Sequence, residues 1–266
     1  MTVAGIWGNE YGSRMTLASR GDGIFGIYES TTGSVGKYLV TGWQLDAEPV
    51  AGAGQPVALA IEWHSIVAGL PDASWNWVSA LGGQISLVGG QEALILSHLL
   101  VASSGFDGLC GHGIHTDKLT YHRVGDATPP QMSARQGAPA MQDPLAGEWL
   151  AAEGARLDLV VSPDTQGRFG YLSGTMVLDG ATLTLAGFTD VNAAQDGLAR
   201  QSVSIVAKDE SRGVTLAFGG WIELVTGVVT VHRLTSRITT AANAYAQTDI
   251  WPMEFRRPVQ QSSQTR

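Results

Sequence analysis

The chain has 266 residues, enough for one large domain or two of ordinary size. Charged residues make up only 15% while glycine fills 34 positions, a composition too apolar for a disordered chain and suited to short strands joined by Gly-rich turns. The formal net charge is −8 and lysine occurs only at Lys37, Lys118 and Lys208, so no basic stripe exists for phosphates, and neither nucleic acid nor a membrane surface is an expected partner.

From the start to about Arg123 the chain reads as alternating segments bounded by turn residues. Candidate strands are Ser13–Ser19, Ile24–Ser30, Lys37–Leu45, Val57–His64, Gly83–Val88, Ala93–Ala102 and Lys118–Arg123. In Val57–His64 the period of two is plain, with Val57, Leu59, Ile61 and Trp63 on one side. No long helical pattern occurs. Ala93 to Ala102 is the longest strongly apolar stretch, interrupted by Ser97 and His98 and far short of the about 20 residues needed to cross a bilayer. Cys110 is the single cysteine, which excludes an internal disulfide and any four-thiolate metal site. No basic and apolar leader follows Met1, so a cytoplasmic location is expected if Met1 is the native start; otherwise the chain is a secreted protein whose signal peptide has been removed.

Residues 124–143 lack alternation, contain three prolines and read as a linker between domains at 1–123 and 144–257, with a polar tail at 258–266. The landmarks before the linker recur after it in the same order. Gly5-Ile6-Trp7 is matched by Gly147-Glu148-Trp149, Phe25-Gly26 by Phe169-Gly170, Thr41-Gly42-Trp43 by Ala186-Gly187-Phe188, and Thr116-Asp117 by Thr248-Asp249. The spacing is 142 to 145 residues at the first three and 132 at the last, which implies two copies of one all-β unit.

The first copy resembles the avidin and streptavidin family. The residues that carry the resemblance are Gly5-Ile6-Trp7-Gly8-Asn9-Glu10-Tyr11-Gly12-Ser13, Gly26-Ile27-Tyr28-Glu29-Ser30, Tyr38-Leu39-Val40-Thr41-Gly42, Ile61-Glu62-Trp63, the stretch from Gly89-Gly90-Gln91, and His115-Thr116-Asp117-Lys118-Leu119-Thr120. The resemblance implies an eight-stranded antiparallel up-and-down barrel, here in tandem, whose interior holds one small ligand. It further implies that Asn9, Ser13 and Tyr28 donate to a ureido oxygen while Ser30 and Asp117 accept from ureido N–H groups, biotin being the family's ligand. Three donors on one oxygen with a carboxylate opposite suit any amide-like carbonyl. Read without the resemblance, Asn9, Ser13 and Ser30 are ordinary turn and strand-end residues.

The family's tryptophan walls are only partly matched. Trp63 fits one; the seventh-strand position falls on Leu99 and another near Leu109, while Trp75 and Trp77, in a long connection, are candidates for the remaining wall. In the second copy Ala151, Ala155 and Ala207 stand at the positions of Asn9, Ser13 and Trp63. Tyr171, Ser173 and Asp249 are its weak counterparts of Tyr28, Ser30 and Asp117, and a slip of one residue would turn the first two to the other face.

His112-x-x-His115 is the only close histidine pair and is read as ordinary loop sequence, with neither a metal nor a cofactor expected. His64 and His98 fall on outward faces by alternation. The leading expectation is therefore a small-molecule binder of biotin-like chemistry, without catalysis. The alternative is an isomerase or cyclase on the same barrel, with Asp117 and Tyr28 moving protons at a polarised carbonyl. On the seventh strand, alternation assigns Ala93, Ile95, Ser97 and Leu99 inward and Leu94, Leu96 and Leu100 outward. Such an apolar outer face predicts that the barrels pack as an intrachain pseudo-dimer, with a homodimer of two chains as a further step.

Overall fold

The computed structural model describes residues 3–50, 52–67, 71–107, 111–126, 139–239 and 248–258. Cys110, Leu109, most of the linker and nearly all of the tail lie outside the described residues.

Sixteen strands form two closed antiparallel barrels. The first comprises β1 (Gly5–Asn9), β2 (Arg14–Arg20), β3 (Gly23–Ser30), β4 (Gly36–Gln44), β5 (Gln55–Glu62), β6 (Val78–Val88), β7 (Gln91–Ala102) and β8 (Gly113–Gly125). The second comprises β9 (Gly147–Ala151), β10 (Arg156–Pro163), β11 (Gly170–Leu178), β12 (Ala181–Thr189), β13 (Arg200–Asp209), β14 (Val214–Glu223), β15 (Val228–Arg237) and β16 (Thr248–Arg256). Each strand pairs with the next, and β8 returns to β1 as β16 returns to β9, so both barrels are the up-and-down type anticipated from the sequence. The helical content among the described residues is one 3-10 turn, Ala73–Asn76.

The recurring Gly-x-Trp has a packing cause. Trp7 and Trp149 plug the same end of their barrels, and their indole N–H groups donate to Val3 O (2.7 Å) and Leu145 O (2.8 Å). Arg123 lies 4.5 Å above the Trp7 ring and Arg257 4.0 Å above Trp149. A Cβ on Gly5 would fall 1.9 Å from the Arg123 guanidinium, and one on Gly147 2.7 Å from that of Arg257, at φ of +156° and +105°. Only glycine leaves room for the arginine that caps each plug.

Alternation then divides every strand between interior and exterior. Val57, Leu59 and Ile61 of β5 enter the core of the first barrel, and Val203 and Ile205 of β13 enter that of the second. The opposite faces of β4 to β7 and β12 to β15 meet in a third apolar cluster, containing Ala58, Ala60, Ala80 and Leu99 from one side and Val206, Ala217 and Leu234 from the other. Small residues let the two sheets close: a Cβ on Gly219 would lie 3.1 Å from Ala80 and 3.3 Å from Leu99, and one on Gly82 3.0 Å from Leu234. Hydroxyls finish the seam, with Ser204 Oγ donating to Ser79 O (2.7 Å), Ser202 Oγ to Asn76 O (2.6 Å) and Gln84 Nε2 to Thr239 Oγ1 (2.9 Å).

One face assignment is corrected. Leu94 and Leu96 point into the first barrel, each fully buried, and Leu99 and Val101 face the second barrel, the reverse of what alternation assigned. β7 is apolar on both faces because both are covered, so nothing in its own sequence fixes which face is interior. Pairing with β6 and β8 decides it, through Leu81↔His98 and Leu94↔Tyr121.

The close fit at Gly219 is testable. Gly219→Val should destabilise the chain by about 1–3 kcal/mol through overpacking between the barrels. Thermal denaturation reads this, and an unchanged melting temperature would mean that the sheets do not meet there.

Candidate functional site

The interior of the first barrel carries an aromatic and polar cluster near one end. Tyr28 pairs with Met15 on one side and Tyr38 on the other, and Tyr121 pairs with Asn9 and Leu94, so these side chains share the inner face. Trp63 continues the inward phase of Leu59 and Ile61. Its ring centroid lies 4.9 Å from that of Tyr38 and 5.8 Å, edge-on, from that of Tyr28.

The Tyr38 hydroxyl is engaged by Ser34 (Oγ at 2.7 Å), which in turn contacts Ser74 Oγ at 2.6 Å, tying the β3–β4 loop to the 3-10 turn. Burial pushes the Tyr38 pKa up to about 12. Tyr121 differs. Its hydroxyl is buried beside Tyr28 and Asn9 yet has no partner in hydrogen-bond geometry among the described residues, and burial holds its pKa far above the ordinary phenol value.

A second polar chain crosses the interior. Trp63 Nε1 donates to Ser79 Oγ (2.9 Å), and Ser79 Oγ lies 2.8 Å from His98 Nε2. Indole can only donate, so Ser79 Oγ accepts from Trp63, and the His98 tautomer sets whether Ser79 donates to or accepts from Nε2. Burial lowers the His98 pKa to about 4, against the opposing pull of Asp117 across the strand pair. The fold thus disfavours the charged ring. Stability from this site is full above the ordinary histidine pKa of about 6.5 and is withdrawn as the pH falls from there toward 4. His98, expected outside, is therefore inside the barrel, and it holds the inward place assigned from the sequence to Leu99.

The other expected site residues are placed as follows. Asn9 Oδ1 accepts from the backbone N–H groups of Tyr11 (3.1 Å) and Ser13 (2.9 Å), so its carbonyl shapes the β1–β2 turn. Ser13 is buried next to it, and Ser30 Oγ donates to Thr32 O at 2.8 Å. Asp117 is on the inward phase but exposed at the barrel mouth, its carboxylate accepting from Lys118 N at 2.7 Å, which corrects the expectation of an enclosed carboxylate. Trp75 stacks on His64 with centroids 3.8 Å apart, and the Arg168 charge on the second barrel joins burial in lowering the His64 pKa to about 4. Trp77 is buried, donates to Ser104 O (2.9 Å) and packs edge-on against Phe106. His115 Nε2 lies 3.0 Å from Gly111 O.

Strand pairing also aligns the two copies. Leu157↔Met176 occupies the place of Met15↔Tyr28, and Leu159↔Gly174 that of Leu17↔Gly26, so Met176 and Leu178 stand where Tyr28 and Ser30 stand. Tyr171 packs on Phe169 and Phe188 outside the second barrel and Ser173 is exposed; both face away from its interior, because Met176 rather than Tyr171 is the counterpart of Tyr28 and neither register considered from the sequence is the observed one. Phe255↔Ala151 matches Tyr121↔Asn9, a spacing of 134 residues rather than 132. Asp117 is thus aligned with Trp251, and Asp249 lies farther out in an ion pair with Arg237 at 2.7 Å.

Tyr38, Ser79, His98 and Tyr121 were not singled out from the sequence as site residues. Counting alternation outward from Val57 and Leu59 through the β5–β6 pairing would have found Ser79, whereas His98 needed the pairing of β7 itself.

No protein-family model matches the chain, and no curated protein matches it. Among solved structures the chain is similar to one described as the crystal structure of xenavidin, at 20% sequence identity and a TM-score of 0.36, over 46% of this chain and 97% of that one.

Ser79 links the indole and the imidazole, so its removal orphans both. Ser79→Ala should cost about 1–3 kcal/mol of stability, measured by urea denaturation, and a neutral substitution would show that the three groups do not form one chain.

Proposed function

We propose that the first barrel binds a compact small molecule presenting an amide or urea carbonyl, with biotin, the ligand of the family the sequence resembles, as the first candidate. The observation that carries this reading is the Tyr121 hydroxyl, buried next to Tyr28 and Asn9, near enough that both bear on its pKa yet in hydrogen-bond geometry with no group among the described residues. Leaving such a donor unmade costs about 1–3 kcal/mol, which a ligand oxygen at that point would recover. Asn9, Ser13 and Tyr28 supply further donors around it. Trp63 and Tyr38 offer the aromatic wall, and Ser30 and Asp117 stand toward the mouth. His98 adds a polar group to the wall, so the pocket suits a ligand with a heteroatom at that height. The enzymatic alternative has no comparable support, because the Asp117 carboxylate is solvent-exposed and already accepts the Lys118 N–H.

We further propose that the two barrels work as an intrachain pair. The serine hydroxyls of β13 hold the carbonyls of Asn76 and Ser79, the latter on the strand that lines the site.

Titration calorimetry with biotin tests the reading. The wild-type chain should bind, and Tyr121→Phe should weaken binding about tenfold while leaving the stability of the free protein unchanged or raised, since the substitution removes an unpaired hydroxyl. Neither heat nor thermal shift at millimolar biotin would reject biotin, and equal affinity in Tyr121→Phe would reject the site.

A further inference from the structure

The second barrel keeps the architecture of the first and rewrites its open end. The pairings Arg233↔Trp251 and Phe218↔Arg233 put Arg233 at the place of His98. Ala207↔Leu216 against Ile61↔Ser79 puts Leu216 at the place of Ser79 and, two residues along β13, Asp209 at that of Trp63. A cavity of about 310 Å³ opens there, lined by the apolar side chains of Leu178, Val214 and Leu216 and, on the strand next to β14, by Arg233 and Thr235.

Three arginines and three aspartates stand around this cavity, but the ion pairs are unevenly shared. Arg212 pairs with Asp179 at 2.7 Å and with Asp209 at 3.6 Å, and Arg237 pairs with Asp249 at 2.7 Å. Arg233 lines the same cavity, and among the described residues no carboxylate pairs with it; the segments outside them contain no Asp or Glu. Its Nε is buried without a hydrogen-bond partner. Thr235, 4% exposed, has its Oγ1 in the same condition. Two unmet buried polar atoms on neighbouring inward positions are costly, and one ligand oxygen pair satisfies both. The apolar side chains beside them favour a ligand whose remainder is hydrocarbon.

We propose that the open end of the second barrel binds a small carboxylate with an apolar tail, its oxygens on Arg233 Nε and Thr235 Oγ1 and its tail against Leu178, Val214 and Leu216. This site is separate from the one proposed in the first barrel and does not depend on it. No covalent step is involved.

Calorimetry of the full chain with hexanoate, and with 1-hexanol as the uncharged counterpart, provides the test. Hexanoate should bind and hexanol should not. Arg233→Met should weaken hexanoate binding about tenfold to a hundredfold, and Arg233→Lys, which keeps the charge and loses the Nε donor, by about tenfold. Removing an unpaired charge should leave the melting temperature of ligand-free Arg233→Met at or above that of the wild type, which shows that the variant is folded. Should Arg233→Met fail to fold, Arg233→Lys and Thr235→Val carry the test, each with weakened binding expected. Absence of heat with millimolar hexanoate, hexanol binding equal to hexanoate, or unchanged hexanoate affinity in the folded variants would overturn the proposal.

Discussion

Closure of each sheet onto itself is the constraint from which the rest of this molecule follows. Once β8 is paired to β1 and β16 to β9, no strand can slide, because a shift of one residue would turn its whole apolar set from inside to outside. Every side chain is then committed to the lumen or to the outer surface. The buried tryptophans with their arginine caps fill corresponding positions near one end of each barrel.

Strands β4 to β7 of the first barrel serve both sides at once, and β5 and β6 show how. β5 and β6 present Leu59, Ile61 and Ser79 to the lumen and Ala58, Ala60 and Ala80 to the second barrel. Bulk belongs inside, where the space is wide, and alanine or glycine belongs between the sheets, where backbones approach closely. Ser79 shows the coupling at a single residue. Its hydroxyl organises Trp63 and His98 within the first barrel, while its carbonyl receives the Ser204 hydroxyl from the second.

Much of this was legible in the sequence. The inward phase of Val57–Trp63 follows from strict period-two alternation, the duplication from landmarks recurring in order, and the up-and-down barrel was what the resemblance to the avidin family implied; Gly-x-Trp marked both plugs because a steric requirement stands behind it. The failures share one cause. β7 and the start of β16 carry no contrast between faces: Leu94, Ile95 and Leu96 are equally apolar, and Thr248-Asp249 resembles Thr116-Asp117 in type while lying two residues out of register. Position in those strands is set by the neighbours to which they pair, and that information is not local. Tyr171 and Ser173 were ambiguous for the same reason, and the match of Phe169-Gly170 to Phe25-Gly26 did not prove structural, since Gly174, not Gly170, pairs as Gly26 does. The polar chain Trp63–Ser79–His98 was invisible because its members lie on three strands and only pairing brings them together.

The claim that pairing sets the faces is tested most directly at His98, since one residue of slip would place this imidazole outside the lumen. Nuclear magnetic resonance titration of the histidine ring signals, assigned with a His98→Gln variant, gives its protonation midpoint in the folded chain. A midpoint near 4 is the result for a ring enclosed beside Ser79 and Trp63. A midpoint near the ordinary histidine value of about 6.5 would place the ring in solvent and contradict the account.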